Sequence, residues 1–322
     1  MNKLHLLTLS LATAFSTTAG AQEVVRLGNL KFAHYGAVSY IKEIAPKCGI
    51  KVEEHVFAKG PDVMQAILAG ELDVGATASE AAIAGRANGA PIYVVAGFAK
   101  GGARLVARPD AGIKSVKDLK GKKVGVTRGG IHEVLLVAEL AQHGLTASDQ
   151  PGKDVQLVFL AFADLNQALL GKNLDAIMQS EPQSSQAINK GFGVEVMKPY
   201  DTPIGEPVRT MVMSEKFYKE RRATAVKFMN CFMQATKTFI DQKPVAEKYV
   251  REVIFKGQIT KDDFEDAISN SPYTYDISAQ HIQITTDVMA KHGIGKMRKP
   301  PVATEFVKTD LLDEAKKSLN IK

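Results

Sequence analysis

Short apolar runs alternate along the chain with stretches whose apolar residues recur at helical spacing. That alternation is the pattern of βαβ units. Strands are predicted at Val24–Gly28, Val52–Phe57, Leu72–Ala76, Ile92–Ala96 and Ala103–Ala107. A second set is predicted at Val124–Thr127, Val155–Phe159, Leu174–Met178, Val194–Met197 and Arg209–Met213. Ile92–Ala96 is apolar throughout, as in a parallel sheet covered on both faces. Helices fill the intervals, one running from Gly36 to about Lys47 and another from the Arg128–His132 loop to near Gly144. Ser115–Leu119 reads as a short capped helix. Beyond Met213 the pattern is helical, at Glu215–Lys243, Pro244–Ile254, Lys261–Ser269, Ser278–His292 and Thr309–Leu319.

One stretch occurs twice without a gap. Asp62–Asp73 (DVMQAILAGELD) aligns with Asp164–Asp175 (DLNQALLGKNLD), with identity at Asp62/Asp164, Gln65/Gln167, Ala66/Ala168, Leu68/Leu170, Leu72/Leu174 and Asp73/Asp175. In each copy the leading Asp is expected to cap a short helix. Gly70 or Gly171 is expected to end it, and Leu-Asp leads into a buried strand. A polar loop then precedes another helix, Thr77–Glu80 in one copy and Gln179–Pro182 in the other. The same order of elements fills Val24–Glu80 and Val124–Glu181, which predicts two similar α/β lobes. Residues 22–106 and 208–322 are assigned to lobe one and residues 107–207 to lobe two. The chain would cross between them at Arg104–Arg108 and near Pro207–Met211, forming a two-strand hinge.

Composition adds limits. The net charge is +6 with both signs dispersed, so no basic arm for nucleic acid is present and anionic ligands are mildly favoured. Lys3, the apolar stretch Leu4–Phe15 and Ala19–Ala21 read as a signal peptide cleaved near Ala21, residues 1–21. The expected product is an exported, soluble, periplasmic protein. Cys48 and Cys231 read as two separate buried thiols, although export would permit a disulfide. No nucleophile elbow, P-loop, HExxH or GxGxxG after a strand is present, so the chain reads as a non-enzyme without catalytic residues, metal or cofactor.

Ligands of open α/β sheets sit beyond the carboxyl ends of the strands. That rule selects four loops, two from each lobe, each before a helix whose free N–H groups favour anions. The candidates are Lys31, His34 and Tyr35 on the first, Thr77, Ser79 and Glu80 on the second, Arg128, Gly129, Gly130 and His132 on the third, and Gln179 and Glu181 on the fourth. Lys31 and Arg128 are either ligand cations or solvated surface charges. His34 and His132 are either ligand contacts or internal histidines. Glu80 and Glu181 either face a cationic group or complement helix dipoles, the second role being expected for one of them. Phe32, Tyr35 and Phe98 are candidate apolar walls.

With these features in place, Phe57–Val63 (FAKGPDV), Gly70–Gly75 (GELDVG), Gly121–Val126 (GKKVGV) and Asp175–Pro182 (DAIMQSEP) carry a resemblance. The chain resembles the periplasmic substrate-binding proteins of ABC importers, in the group that binds taurine, alkanesulfonate, nitrate and thiamine precursors (NMT1-like, type II periplasmic-binding fold). The resemblance implies two lobes with mostly parallel sheets covered by helices on both faces and joined by two hinge crossings. It further implies a monomer that closes on a small organic anion or zwitterion and delivers it to a membrane permease and its ATPase. A pyrimidine-like thiamine precursor is the alternative ligand. A pyrimidine-precursor synthase is a rival reading, against which stand the export signal and the lack of a cysteine cluster. A sensor role is a further one.

Overall fold

The computed structural model describes residues 22–321. The signal-peptide expectation lies outside them. From the N-terminal side the elements are β1 (Glu23–Leu30), a 3-10 turn at Ala33–Tyr35, α1 (Gly36–Ile44), a second 3-10 turn at Ala45–Cys48, β2 (Ile50–Phe57), α2 (Gly60–Leu68), β3 (Val74–Ala78), α3 (Ser79–Ala87) and β4 (Ile92–Lys100). Then come β5 (Ala103–Ala107), a 3-10 turn at Val116–Leu119, β6 (Lys123–Val126), α4 (Ile131–Gln142), β7 (Ala147–Ser148), β8 (Val155–Phe159), α5 (Phe162–Leu170), β9 (Ala176–Ser180), α6 (Gln183–Asn189) and β10 (Val194–Met197). The remainder is β11 (Val208–Ser214), α7 (Glu215–Glu220), α8 (Arg222–Asp241), α9 (Lys243–Lys248) running into a π-helical turn at Tyr249–Ile254, α10 (Lys261–Asn270), α11 (Ala279–Lys291), α12 (Ala303–Phe306) and α13 (Asp310–Ser318).

Two mixed sheets result. The first has the order β2-β1-β3-β11-β4 and the second β10-β5-β9-β6-β8-β7. Apart from the short β7, the second sheet repeats the first strand for strand. In each, one reversed strand is supplied by the chain returning from the other half: β11 in the first and β5 in the second. Because Ala103–Ala107 pairs with β9, the first crossing falls at Gly101–Gly102, before the Arg104–Arg108 position expected. The Gly101 N–H donates to the Pro207 carbonyl at 2.9 Å, which ties the two crossings together.

Atomic contacts explain why the duplicated stretch keeps its Leu and Asp. Leu72 Cδ1 lies 2.5 Å from where a Cβ on Gly28 would sit, and Leu174 Cδ1 lies 2.4 Å from the same point on Gly125. Each Leu seats over a glycine of the neighbouring strand. Asp73 accepts the Arg26 N–H at 3.0 Å, and Asp175 accepts the Lys123 N–H at 2.9 Å. Each Asp thus satisfies a backbone donor on the adjacent strand while pairing with an arginine, Arg26 at 2.8 Å or Arg108 at 3.1 Å. The expected caps are corrected. Lys59 and Ala161 occupy the N-cap positions, which puts Asp62 and Asp164 inside the first turn, where their charge complements the helix dipole. The expected ends hold: Gly171 is the C-cap of α5 and Gly70 follows the Ala69 C-cap of α2, with Gly70 and its counterpart Lys172 in the left-handed conformation.

Three further expectations change. Thr77, Gln179 and Ser180 lie in strands, not in loops. The expected helix Glu215–Lys243 breaks at Arg221, whose guanidinium is drawn to the Val24 carbonyl at 2.8 Å and to Glu23 at 3.0 Å. Cys48 and Cys231 form a disulfide, since the Ala45–Cys48 turn packs on α8 and brings the Cα atoms to 5.9 Å. Their 183-residue separation hid this from the sequence. Helix α4 is apolar on two faces. Ile131, Val134, Leu135 and Ala138 join the core of the first sheet, whereas Leu136 and Leu140 join that of the second.

Candidate functional site

The carboxyl ends of β1, β3, β6 and β9 converge on one narrow cleft of about 20 Å³ between the two sheets. Its walls include His34, Tyr35, Thr77, Glu80, Arg128, Gly130 and His132. Phe32, Phe162, Thr127, Ile131 and Arg209 line it as well. The N-terminal residues of α3 and α4 are among these, so the positive ends of two helices face the space, with the Ala81 and Ile131 N–H groups directed at the Glu80 carboxyl.

The polar groups here are buried to a degree that needs explanation. His34, Glu80, His132 and Arg209 are each at most 3% exposed. Both ring nitrogens of His34, Oε2 of Glu80, Nδ1 of His132, Nε of Arg209 and the hydroxyl of Thr77 have no hydrogen-bond partner within the chain. Buried polar atoms are ordinarily paired, and an unpaired one costs roughly 1–3 kcal/mol. Such a cluster at the mouth of a parallel sheet is what a polar solute would satisfy.

Burial sets the protonation of the cleft. It pushes Glu80 up to about 7 against the pull of the Arg209 charge and of nearby backbone N–H groups. Burial, with Arg209 adding to it, holds His132 down to about 3. His34 lies well below the ordinary histidine range, first through burial and then through Arg209 and His132. Both imidazoles are therefore neutral near pH 7. Arg209 donates through Nη2 to the carbonyls of Gly101 at 2.8 Å and Gly102 at 3.1 Å, which fixes the guanidinium at the crossing and leaves Nε without a partner.

The two halves also meet directly. Phe32 and Phe162 pack edge to face with centroids 5.2 Å apart, and the Ala33 N–H donates to the Glu181 carbonyl at 3.3 Å. Beside the cleft, the Glu181 carboxylate accepts from Asn270 Nδ2 at 2.7 Å and from the Ser185 hydroxyl at 2.7 Å, and it lies 2.9 Å from Arg104 Nε.

Several candidate residues fall elsewhere. Glu181 is consumed by that internal network, so of the two acids it is the structural one. Gln179 donates to the Phe162 carbonyl at 3.2 Å and accepts the Ser180 N–H at 2.9 Å, within the fold. Lys31 is exposed, with its ammonium 5.3 Å from the centre of the Phe255 ring. Arg128 borders the cleft, but its guanidinium pairs with Asp149 at 2.5 Å and covers the Phe159 ring. Gly129 donates its N–H to Glu133 at 2.5 Å and lies outside the lining, as does the buried Ser79. Of the expected apolar walls, Phe98 sits behind Tyr35, 4.7 Å between centroids.

Arg209 and Phe162 were absent from the sequence-based set. A lone Arg opening the apolar strand Val208–Met213 was one signal. The other was the duplication itself: two residues before Asp62 and Asp164 stand Gly60 and Phe162, and both line the cleft. Among the described residues no group of three or more His, Cys, Asp or Glu is placed to hold a metal ion, and no described helix is long and apolar enough to cross a membrane.

Comparison with known proteins follows the same lines. Residues 13–254 match the NMT1-like family. A Brachyspira hyodysenteriae protein described as an ABC transporter periplasmic binding protein is 24% identical, over 95% of this chain and 93% of its own. An Escherichia coli protein described as aliphatic sulfonates-binding is 34% identical over 44% of this chain and 43% of its own. Among solved structures, the alkanesulfonate-binding protein of Xanthomonas axonopodis pv. citri superposes with a TM-score of 0.75 at 18% identity, covering 90% of this chain and all of that one. The periplasmic nitrate-binding protein of Synechocystis gives 0.74 at 16% identity, covering 94% and 90%. These superpositions place the two-sheet architecture within the periplasmic-binding-protein fold.

Proposed function

The chain belongs to the NMT1-like family, and from that premise we propose that it is an extracytoplasmic solute-binding protein. It captures a small organic anion or zwitterion between its two halves and delivers it to the permease of an ABC importer. The observation that carries this reading is Arg209, a cleft-lining residue with a buried guanidinium whose Nε has no partner within the chain. A carboxylate or sulfonate at that point forms a charge-assisted hydrogen bond in a site shielded from water. The α3 and α4 N-termini favour the same negative group, while Glu80 suits an ammonium or amide N–H at the ligand's other end.

Capture follows from geometry. His34, Glu80 and Arg209 come from one half of the molecule, His132 and Gly130 from the other. Only the closed arrangement brings both sets to a solute, so binding shifts the population toward it. The crossings at Gly101–Gly102 and between β10 and β11 act as the hinge.

A pyrimidine-like heterocycle is a second reading, favoured by the rings of Phe32, Tyr35 and Phe162 beside an acid held near neutrality. A thermal-shift panel on protein stripped by unfolding and refolding separates the two. Its members are sulfonates, nitrate, carboxylates, amino acids and pyrimidines. A solute at 100 times its Kd raises stability by about 2.7 kcal/mol. A shift with anions or zwitterions supports the main reading, and a shift with pyrimidines alone supports the second. No shift with any member contradicts both.

A further inference from the structure

We propose that His132 determines the ligand class: it presents a fixed hydrogen-bond acceptor, so the solute must bring an N–H or O–H donor, and acceptor-only anions are excluded. The inference rests on the reading of the cleft as a solute site and narrows it.

The argument begins with Gly102. Its carbonyl faces two side chains, Arg209 Nη2 at 3.1 Å and His132 Nε2 at 3.1 Å. A carbonyl can only accept, so Nε2 carries the proton. A neutral imidazole has one proton, which leaves Nδ1 as a bare acceptor. Nδ1 is buried without a partner in a residue that lines the cleft.

The ring is held in this orientation. The Phe162 ring stands edge-on to it, 5.0 Å between centroids, and the carbonyl that fixes Nε2 is itself anchored, because the Gly102 N–H donates to the Asn270 carbonyl at 3.1 Å. Turning the imidazole over would abandon the bond to Gly102. Protonating Nδ1 would place a second cation beside Arg209 in a buried site, and the depressed basicity of the ring opposes that.

Glu80 adds a second unpartnered oxygen, which accepts when the carboxyl is ionised and can donate when it is protonated. The His132 acceptor stays unsatisfied when the solute offers only oxygens, as an alkanesulfonate or nitrate does. Sites built around a substrate N–H or O–H reject analogues lacking it far more strongly than apolar pockets reject a missing methylene, because buried polar groups are left unpaired. The cleft therefore suits a solute with an acid group for Arg209 and a donor for His132 and Glu80, such as an amino acid, an aminosulfonate or an acid bearing an amide N–H.

Calorimetric titration of the refolded, solute-free protein with matched pairs tests this. The pairs are 2-aminoethanesulfonate against ethanesulfonate and 3-aminopropanoate against propanoate. The donor-bearing member is expected to bind at least about 100-fold more tightly. The His132→Phe variant, checked for folding by its melting curve, is expected to reduce that preference to less than about tenfold. Equal or tighter binding of the acceptor-only member, or an undiminished preference in His132→Phe, overturns the proposal. Nitrogen-15 chemical shifts of the His132 ring in the free protein give an independent readout. A proton on Nε2 alone across pH 6–8 supports the assignment, and a proton on Nδ1 overturns it. Binding of neither member of either pair contradicts the anion-or-zwitterion reading itself, and the ring tautomer then decides the His132 assignment alone.

Discussion

Arg209 holds Gly102 at the point where the chain passes from one sheet to the other: Nη2 donates to the Gly102 carbonyl at 3.1 Å, while Nε of the same guanidinium is buried without a partner. One residue thus both lines the cleft and anchors the crossing on which closure would turn. Gly102 has φ of +78°, and a Cβ there would lie 2.9 Å from Ser271 Oγ, 3.0 Å from Arg209 Nη2 and 3.1 Å from His34 Cε1. Gly102→Ala is expected to lower the unfolding free energy by about 1–3 kcal/mol in a urea titration and to weaken solute binding, since two of the three crowded atoms belong to cleft residues. A variant as stable and as tight-binding as the parent would refute the coupling.

The two arginines that border the cleft are predicted to behave differently. Arg209→Met removes the buried donor and leaves the Gly101 carbonyl short of a partner, so solute affinity should fall by at least about 100-fold, the equivalent of about 2.7 kcal/mol. Arg128→Ala removes a largely exposed side chain that pairs with Asp149 and covers Phe159. Its effect on affinity should stay within about threefold, as is usual for exposed ion pairs. Calorimetry on both variants reads the contrast directly.

Much of the architecture was legible because it is periodic. Apolar runs such as Ile92–Ala96 and Val155–Phe159 became strands, and the duplicated Leu-Asp pairs marked two copies of one unit before any contact was known. Side-chain direction was not legible. Lys31 and Arg128 lie on the right loops and read equally as ligand cations or surface charges; the structure sets the Lys31 ammonium by the Phe255 ring and pairs the Arg128 guanidinium with Asp149. In the proposed reading Arg209 takes the ligand-cation task, from a strand that belongs to the first sheet although it follows the second half in sequence. Its role depends on a long-range pairing with Ala78 and Ala99 that no local pattern encodes. The partnership of Cys48 with Cys231 is hidden for the same reason.

The buried titratable groups oppose one another in their effect on stability. Glu80, raised from 4.5 to about 7, gives stability that is fully present below pH 4.5 and is lost as pH rises through 7. His34 and His132, lowered from 6.5, act in the other direction. Their stability is present above pH 6.5 and is lost as pH falls, for His132 down to about 3. Near pH 5.5 the unfolded chain binds both histidine protons and the folded chain binds the Glu80 proton. These three groups together therefore make stability rise with pH. Glu80→Gln removes the opposing contribution and should steepen that slope by about one proton, roughly 1.4 kcal/mol per pH unit. Urea titrations of both proteins from pH 5 to 6.5 measure the difference, and parallel slopes would show that Glu80 is ionised in the fold.

The disulfide closes a very long loop, Cys48 and Cys231 standing 183 positions apart. In the chain-entropy description a loop of that length is worth about 5 kcal/mol. The double replacement Cys48→Ala with Cys231→Ala should cost most of that in denaturant titration under non-reducing conditions. It should leave solute affinity unchanged, since the bridge joins the Ala45–Cys48 turn to α8 and neither lines the cleft. A loss below 1 kcal/mol would mean that the bridge constrains the unfolded chain far less than its length implies.

A crystal structure with the strongest solute from the panel tests the central claim most directly. The account predicts an acid group of that solute within about 3 Å of Arg209 Nε, with the halves closed so that His132 and Glu80 contact the same molecule. A solute bound elsewhere, as in the groove between α8 and α10 lined by Phe239, Phe264 and Tyr273, with Arg209 still unpartnered, would contradict it.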